Sequence, residues 1–188
     1  DRPTLASDIL GRLRVQLGAR LERRETRPWD ALFVVDFPLF ESTDNGQLTY
    51  MHMPFVAPLE EDLELLESAP QRVRATHYDL VVNGVELGSG SLRNHRVDVQ
   101  LKILEILGYN ETQARERFGF LLEALETGAP PHGGFAFGFD RLCLMLAGGD
   151  SLRDVIAFPK TQRAQDLFMQ SPNAVEAEQL RELGLRLR

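Results

Sequence analysis

Hydrophobic residues recur every four positions at the start of the chain. Leu5, Ile9, Leu13, Leu17 and Leu21, with Leu10 beside them, form one stripe and predict a helix over 4–21. Charged residues and Pro28 follow, so 22–30 reads as a connector. The period then changes. Residues 31–40 are short, apolar and β-rich, Asp44-Asn45-Gly46 is a turn signal, and 47–57 is a second strand, so the two read as a hairpin. Leu59, Leu63 and Leu66 suggest a short acidic helix over 59–67. A long strand over 72–82, the dipeptide Asn83-Gly84 and a returning strand over 85–93 form a second hairpin. Helices are expected over 97–107 and 111–127, ended by Gly108 and Gly128 as left-handed caps. Residues 130–134 are a loop, 134–139 a glycine-interrupted strand, and Asp140 caps a helix that runs to about 147. Ser151 and Asp154 have the spacing of a capping box, and a last amphipathic stretch covers 174–183. Two hairpins with helices inserted between strands predict an α+β fold, a mainly antiparallel sheet flanked by helices.

Composition narrows the class. With 188 residues, 43% hydrophobic and 26% charged, the chain is globular, one domain or one with a small appendage. No apolar run approaches the roughly 18–20 residues of a membrane span, so no membrane partner is expected. The single cysteine, Cys143, excludes a disulfide framework and a multi-cysteine zinc site, and its apolar neighbours predict a small buried hydrophobe. A net charge of −7 argues against a broad basic face for nucleic acid, so any RNA contact is local.

The second hairpin carries the most informative chemistry. If Asn83-Gly84 is a two-residue turn, 82 pairs with 85, 81 with 86 and 79 with 88. Alternation then puts Asp79, Val81, Glu86 and Gly88 on one face. Asp79 and Glu86 become diagonal neighbours with Cβ atoms about 7 Å apart, and Gly88 leaves space above them. Two carboxylates beside a hole suit a divalent cation such as Mg²⁺. Two ordinary acids on a solvated face have the same spacing. Strict alternation sends Arg93 to the other face unless a bulge within 88–90 intervenes.

Two other segments carry candidates. Gly134 and Gly138 alternate on a strand, which lets a flat ligand lie on bare backbone, and Arg141 leaves the first turn of the next helix, where it can stack on a purine or pair with phosphate. A bulged core strand with a capped helix gives the same pattern. His52, in Tyr50-Met-His-Met-Pro-Phe55, is a lone strand histidine, a position more often structural than catalytic.

Taken in order, Phe33 to Phe40, His52 to Pro58, Tyr78 to Glu86, Gly88 to Arg93, Gly128 to Leu142 and Val155 to Gln162 resemble the C-terminal half of a bacterial-type aspartyl-tRNA synthetase, a class II aminoacyl-tRNA synthetase. The resemblance runs from about residue 31 to the end. It implies that 1–30 are the tail of an insertion domain and a connector, and that 31–188 are the C-terminal part of the class II catalytic domain, including motif 3. It implies an aspartate–tRNA ligase that makes aspartyl-adenylate from aspartate and ATP and passes it to tRNA. The implied roles are Asp79 and Glu86 on Mg²⁺, Glu86, Arg141, Gly134 and Gly138 at ATP, Arg141 as the catalytic arginine of motif 3, Arg93 on the aspartate side chain, and His52 in the adenylate pocket. A cytoplasmic location is implied too.

The chain departs from the family pattern at Met53, where a second histidine is usual, and at Ser89 and Asn94. Motifs 1 and 2 are not found in these 188 residues. The chain alone is therefore expected to be inactive, and to form a homodimer or associate with the missing upstream part. The alternative is a non-catalytic paralog or fragment that acts as an aspartate/adenylate-binding or protein-interaction module. Asparaginyl- and lysyl-tRNA synthetases are the nearest enzymatic competitors.

Overall fold

The computed structural model describes residues 3–20 and 29–186. In chain order its elements are α1 (Pro3–Arg20), β1 (Ala31–Val34), β2 (Phe40–Ser42), β3 (Leu48–Tyr50), α2 (Leu65–Ser68), β4 (His77–Val82), β5 (Val85–Leu92), α3 (Val97–Ile106), α4 (Glu111–Glu126), β6 (Gly133–Phe137), α5 (Phe139–Ala147) and α6 (Ala177–Glu182). They fall into two units, Asp1–Phe137 and Gly138–Arg188.

The Asn83-Gly84 turn builds the centre of the first unit. Both residues take positive φ, 51° and 83°, as a type I′ hairpin requires and as asparagine and glycine tolerate. The turn joins β4 to β5. β1 pairs with β4 and β6 with β5, giving an antiparallel sheet in the order β1-β4-β5-β6. The expected α+β class and antiparallel sheet with flanking helices are found. No helix among the described residues is long and apolar enough to cross a membrane.

The first expected hairpin is corrected. Asp44-Asn45-Gly46 does turn the chain, with Thr43 N–H donating to the Gln47 carbonyl at 2.8 Å, but it joins only β2 and β3, a separate two-stranded sheet. Residues 31–34 pair with β4 instead. Asp36 at φ 60° and Pro38 break the strand between the two roles. Residues 37–39 then run beside 73–75, with Leu39 N–H on the Val73 carbonyl at 2.8 Å and Ala75 N–H on the Phe37 carbonyl at 2.7 Å. The expected strand over 72–82 therefore begins as an irregular segment and is regular only from His77.

The acidic helix expected over 59–67 is two short pieces, a 3-10 turn Glu60–Asp62 and α2. Asp62 is buried here. Its carboxylate accepts hydrogen bonds from the Arg74 backbone N–H at 2.9 Å and from Arg74 Nε at 2.8 Å. The Arg74 side chain, chiefly, holds the Asp62 carboxyl below its ordinary range. Above this lies the main core: Leu39, Phe40, Val56, Leu66, Val73, Ala75, Val99 and Ile103. A second cluster of Leu104, Ala114 and Leu122 locks α3 to α4. Asn110 and Gln113 cap α4 reciprocally, at 2.9 and 3.1 Å. Gly108 and Gly128 follow the two helices with positive φ, as expected.

Among the described residues the apolar stripe of α1 finds no cover: Leu5, Ile9, Leu13 and Leu17 are exposed. Leu21 and the connector over 22–28 lie outside the described residues. β1 and β6 are the outer strands of the main sheet and every residue in them is exposed, including Phe33 and Phe137.

The second unit begins with Gly138 as the N-cap of α5. Asp140 sits inside the first turn and makes no side-chain cap, so the expected Asp140 cap is corrected: the helix starts two residues earlier than the aspartate needs. Its negative charge still suits the helix N-terminus. Ser151 and Asp154 form their capping box around a 3-10 turn, Leu152–Asp154. No described residue of this unit is buried, and Cys143 is only partly covered.

Candidate active site

Residues two apart on a strand share a face. Val81 opposes Glu86 and Val82 opposes Val85, as the two-residue turn dictates. The register then slips, so that Leu80 opposes Gly88 and Asp79 opposes Ser89. Leu87 is the extra residue of a β-bulge. The expected pairing of Asp79 with Gly88 is therefore corrected by one position. Asp79, Val81, Glu86 and Ser89 share one face, together with His77 and Ser91.

Close packing explains the slip. A Cβ on Gly88 would lie 2.6 Å from the Ala136 carbonyl oxygen and 2.8 Å from the Phe135 ring. One on Gly90 would lie 2.2 Å from the Gly134 oxygen and 2.7 Å from the Tyr78 ring. Both glycines thus lie beneath Tyr78 and Phe135, whose rings stack at 6.0 Å on the reverse face. The space that Gly88 was expected to leave above the two acids is on the other side of the sheet, and aromatic rings fill it. Ser89 places a hydroxyl-bearing side chain opposite Asp79.

The site face carries a packed imidazole pair. The rings of His52 and His77 stack at 3.8 Å and 13°, and Phe37 meets both edge-on, at 4.9 and 5.1 Å. His77 Nε2 lies 3.0 Å from Asp79 Oδ1. A carboxylate only accepts, so Nε2 carries the proton. The side chains of His77 and Asp79 are 11% and 15% exposed. His52 keeps part of its surface in solvent but rests one ring face on His77. Burial, and then the neighbouring His77, push its pKa below 6.5, against the opposing pull of Asp79, Glu86 and Glu41. Both candidate metal carboxylates therefore act electrostatically on this ring.

The sign of the resulting pH dependence follows. The unfolded chain binds a proton at His52 more readily than the folded one, so stability is full above about pH 6.5 and declines as pH falls from there through the lowered value. An imidazole titration followed by NMR is expected to give His52 a midpoint below 6.5, and a midpoint above 6.5 would contradict the packing described.

Arg93 is anchored through its backbone. Its N–H donates to the His132 carbonyl at 2.8 Å, and it forms an antiparallel bridge with Val56. Beyond the bulge, alternation gives Arg93 the parity of Ser89 and Ser91, so the strand irregularity that returns it to the site face falls at Leu87 rather than within 88–90. Its Nη1 donates to the Met53 sulfur. Met53, one of the departures from the family pattern, thus packs on the main core with its sulfur against this guanidinium. Asn94, another departure, is buried and structural. Its amide donates to the Arg96 carbonyl at 3.0 Å and to Gln100 Oε1 at 3.1 Å, while Gln100 donates to the Pro54 carbonyl at 2.8 Å. This network holds the turn that carries His52 and Met53 against α3.

Gly134 opposes Ser91, and a Cβ there would meet nothing within 4 Å. The backbone at Gly134 is open, as a flat ligand requires. Gly138 is not on the strand but caps α5, and with Arg141 belongs to the second unit.

The donor set of the first unit suits Mg²⁺ in one particular way. Among the described residues no three His, Cys, Asp or Glu side chains converge as a metal cage. Asp79 and Glu86 offer two carboxylates on one face. Mg²⁺ is commonly held by one or two carboxylates, with substrate phosphates and water completing its shell. A cavity of about 290 Å³ lies elsewhere, lined by Thr49, Pro54, Phe55, Leu107, Tyr109 and Phe118. None of the candidate residues lines it.

Sequence reasoning missed His77 and Phe37. His77 precedes Asp79 by two on a strand, so shared orientation was available as a signal. Phe37 reaches the site only through the 37–39 and 73–75 pairing, which no local pattern announces.

The model of tRNA synthetases class II (D, K and N) matches residues 12–162. An aspartate–tRNA(Asp/Asn) ligase of Geotalea uraniireducens (strain Rf4) is 49% identical over 187 residues, covering 99% of this chain and 32% of the relative. One of Thermoanaerobacter sp. (strain X514) is 47% identical over 189 residues, covering 100% and 32%. The chain thus spans about a third of the length of the curated relatives it matches. Among solved structures, the aspartyl tRNA synthetase from Entamoeba histolytica superimposes with a TM-score of 0.57 at 20% identity, over 83% of this chain and 27% of that one. The asparaginyl-tRNA synthetase from Pyrococcus horikoshii gives 0.51 at 23% identity, over 70% and 26%. These two likenesses concern the fold alone. Because the family model spans most of the chain and the fold agrees with it, the chain belongs to the class II tRNA synthetases of the D, K and N group.

Proposed function

We propose that these residues form part of an aspartate–tRNA ligase, in which the aspartate α-carboxylate attacks the α-phosphorus of ATP, pyrophosphate leaves, and the aspartyl group passes to tRNA. The observation that carries this reading is the single sheet face bearing Asp79, Glu86 and Ser89 beside the backbone-anchored Arg93. The names of the relatives point the same way. Arg93 is the aspartate-recognising group: its guanidinium fork matches a carboxylate bidentately and cannot lose its charge. Asp79 and Glu86 would hold Mg²⁺, which when bound offsets the phosphate charge. His52 lines the adenylate pocket, with its ring orientation set by stacking. Open backbone at Gly134 accepts the flat face of the nucleotide. Arg141, the catalytic arginine of motif 3, and Gly138 lie in the second unit, and the resemblance gives both a role at ATP. The bare edges of β1 and β6 are the surfaces through which this part joins the rest of its protein or a second copy. The setting is cytoplasmic.

A hydrolysis-resistant aspartyl-adenylate analogue, titrated into the chain and followed by NMR, tests the reading. Shifts are expected at Arg93, His52 and Gly134. Arg93→Ala is expected to weaken binding about 10–100-fold, the worth of a charged hydrogen-bonded contact. An alanine variant that binds the analogue as tightly as the wild type removes Arg93 from its role.

A further inference from the structure

We infer that His77 is a positioning residue for the candidate metal site, clamping the Asp79 carboxylate through Nε2 while its ring serves as the shelf on which His52 rests. The inference rests on the reading of Asp79 as a metal-holding carboxylate. Three observations carry it. His77 Nε2 lies 3.0 Å from Asp79 Oδ1, and both side chains are largely buried. The His77 ring stacks on His52 at 3.8 Å, nearly parallel. Phe37 closes the edges of both rings, so the imidazole pair is enclosed on one side by an aromatic wall.

The consequence is mechanical. An aspartate side chain turns easily about its terminal torsion. A hydrogen bond to Oδ1 removes that freedom and fixes the direction of the second oxygen. Because the donor is wedged between His52 and Phe37, it cannot swing away without unstacking the pair. The carboxylate is thus pre-aimed, and the turn carrying His52 and Met53 is registered on the strand carrying Asp79. Partners that orient a ligating carboxylate typically contribute 10–100-fold to metal affinity.

Mn²⁺ titrated into the 188-residue chain with ATP present, read by electron paramagnetic resonance, tests the inference. His77→Phe keeps a ring against His52 and Phe37 but offers no N–H. His77→Gln puts an amide N–H where Nε2 lies and loses the ring. His77→Phe is expected to weaken Mn²⁺ binding about tenfold, and His77→Gln to stay within about threefold of wild type. A phenylalanine variant that binds like wild type, or a glutamine variant as weak as phenylalanine, overturns the clamp while leaving Asp79 as a ligand. Wild-type chain that takes up no Mn²⁺ removes the metal reading itself, and the clamp's purpose with it. Imidazole ¹⁵N shifts of the wild type give an independent check, since His77 must be the Nε2–H tautomer. An Nδ1–H tautomer sinks the proposal whatever the variants do.

Discussion

No aspartate-dependent pyrophosphate exchange above background is expected from the 188 residues alone. The candidate site supplies two carboxylates, the Arg93 guanidinium, a stacked histidine and open backbone at Gly134. In the reading proposed above, the attacking carboxylate and the departing pyrophosphate also need cationic donors aimed at the α-phosphate. The resemblance assigns one of these to an upstream motif that these residues do not contain. Loss of a single preorganised donor costs about 10²–10³ in rate. The exposed outer strands β1 and β6 compound the loss, because among the described residues neither edge of the sheet that positions the acids carries a buried side chain. The check is an exchange assay on chain of verified mass, with and without aspartate. Clear aspartate-dependent exchange would show that the 188 residues suffice.

Replacement of Ile103 by alanine is expected to destabilise the first unit by about 2–5 kcal/mol. Ile103 is 0% exposed and lies in the cluster that joins α3 to Leu39, Val56 and Val73. A small domain holds only about 5–15 kcal/mol in total, so the loss is a large share. Urea unfolding measures it; a change below about 1 kcal/mol would mean that the cluster relaxes around the cavity and is not the main core. The site should feel the change too. Three residues earlier on the same helix, Gln100 holds the Pro54 carbonyl, and with it the turn presenting His52 and Met53.

Local signals were the most legible part of the chain. Asn83-Gly84, the glycines after α3 and α4, and the box of Ser151 and Asp154 each act within a few residues, and each produced the expected feature. The fold class followed from the two turn signals. Partner choice was not legible in the same way. Residues 31–34 are a short apolar, β-rich run that names no partner, and what moved them from Gln47–Tyr50 to β4 was the broken backbone at Asp36 and Pro38 plus pairing with residues more than thirty positions away. The site divides along the same line. That Asp79 and Glu86 share a face follows from alternation and a turn. That Gly88 lies under Phe135, and not over the acids, depends on how closely β6 approaches β5, which no reading of one hairpin contains. Family likeness named Arg93 and His52, but not the ring beneath His52. His77 became visible only as a contact.

The bulge at Leu87 makes the residue count between Glu86 and Arg93 a structural requirement of this site. On a regular strand Glu86 and Arg93, an odd number apart, would look to opposite sides. The one supernumerary residue reverses that parity and lets the acid and the guanidinium serve the same face. Length variation in this hairpin is therefore asymmetric. Residues added at the Asn83-Gly84 tip cost the two-residue turn and its hydrogen bonds to Asp30 but leave the count from Glu86 to Arg93 unchanged. A single residue added or removed between positions 86 and 88 turns Arg93 away from Asp79, and swings the glycine row out from under Tyr78 and Phe135, so that side chains would meet the neighbouring strand where only bare backbone fits. The hairpin is in effect a ruler with one deliberate miscount, and its accuracy is set by spacing more than by side-chain identity.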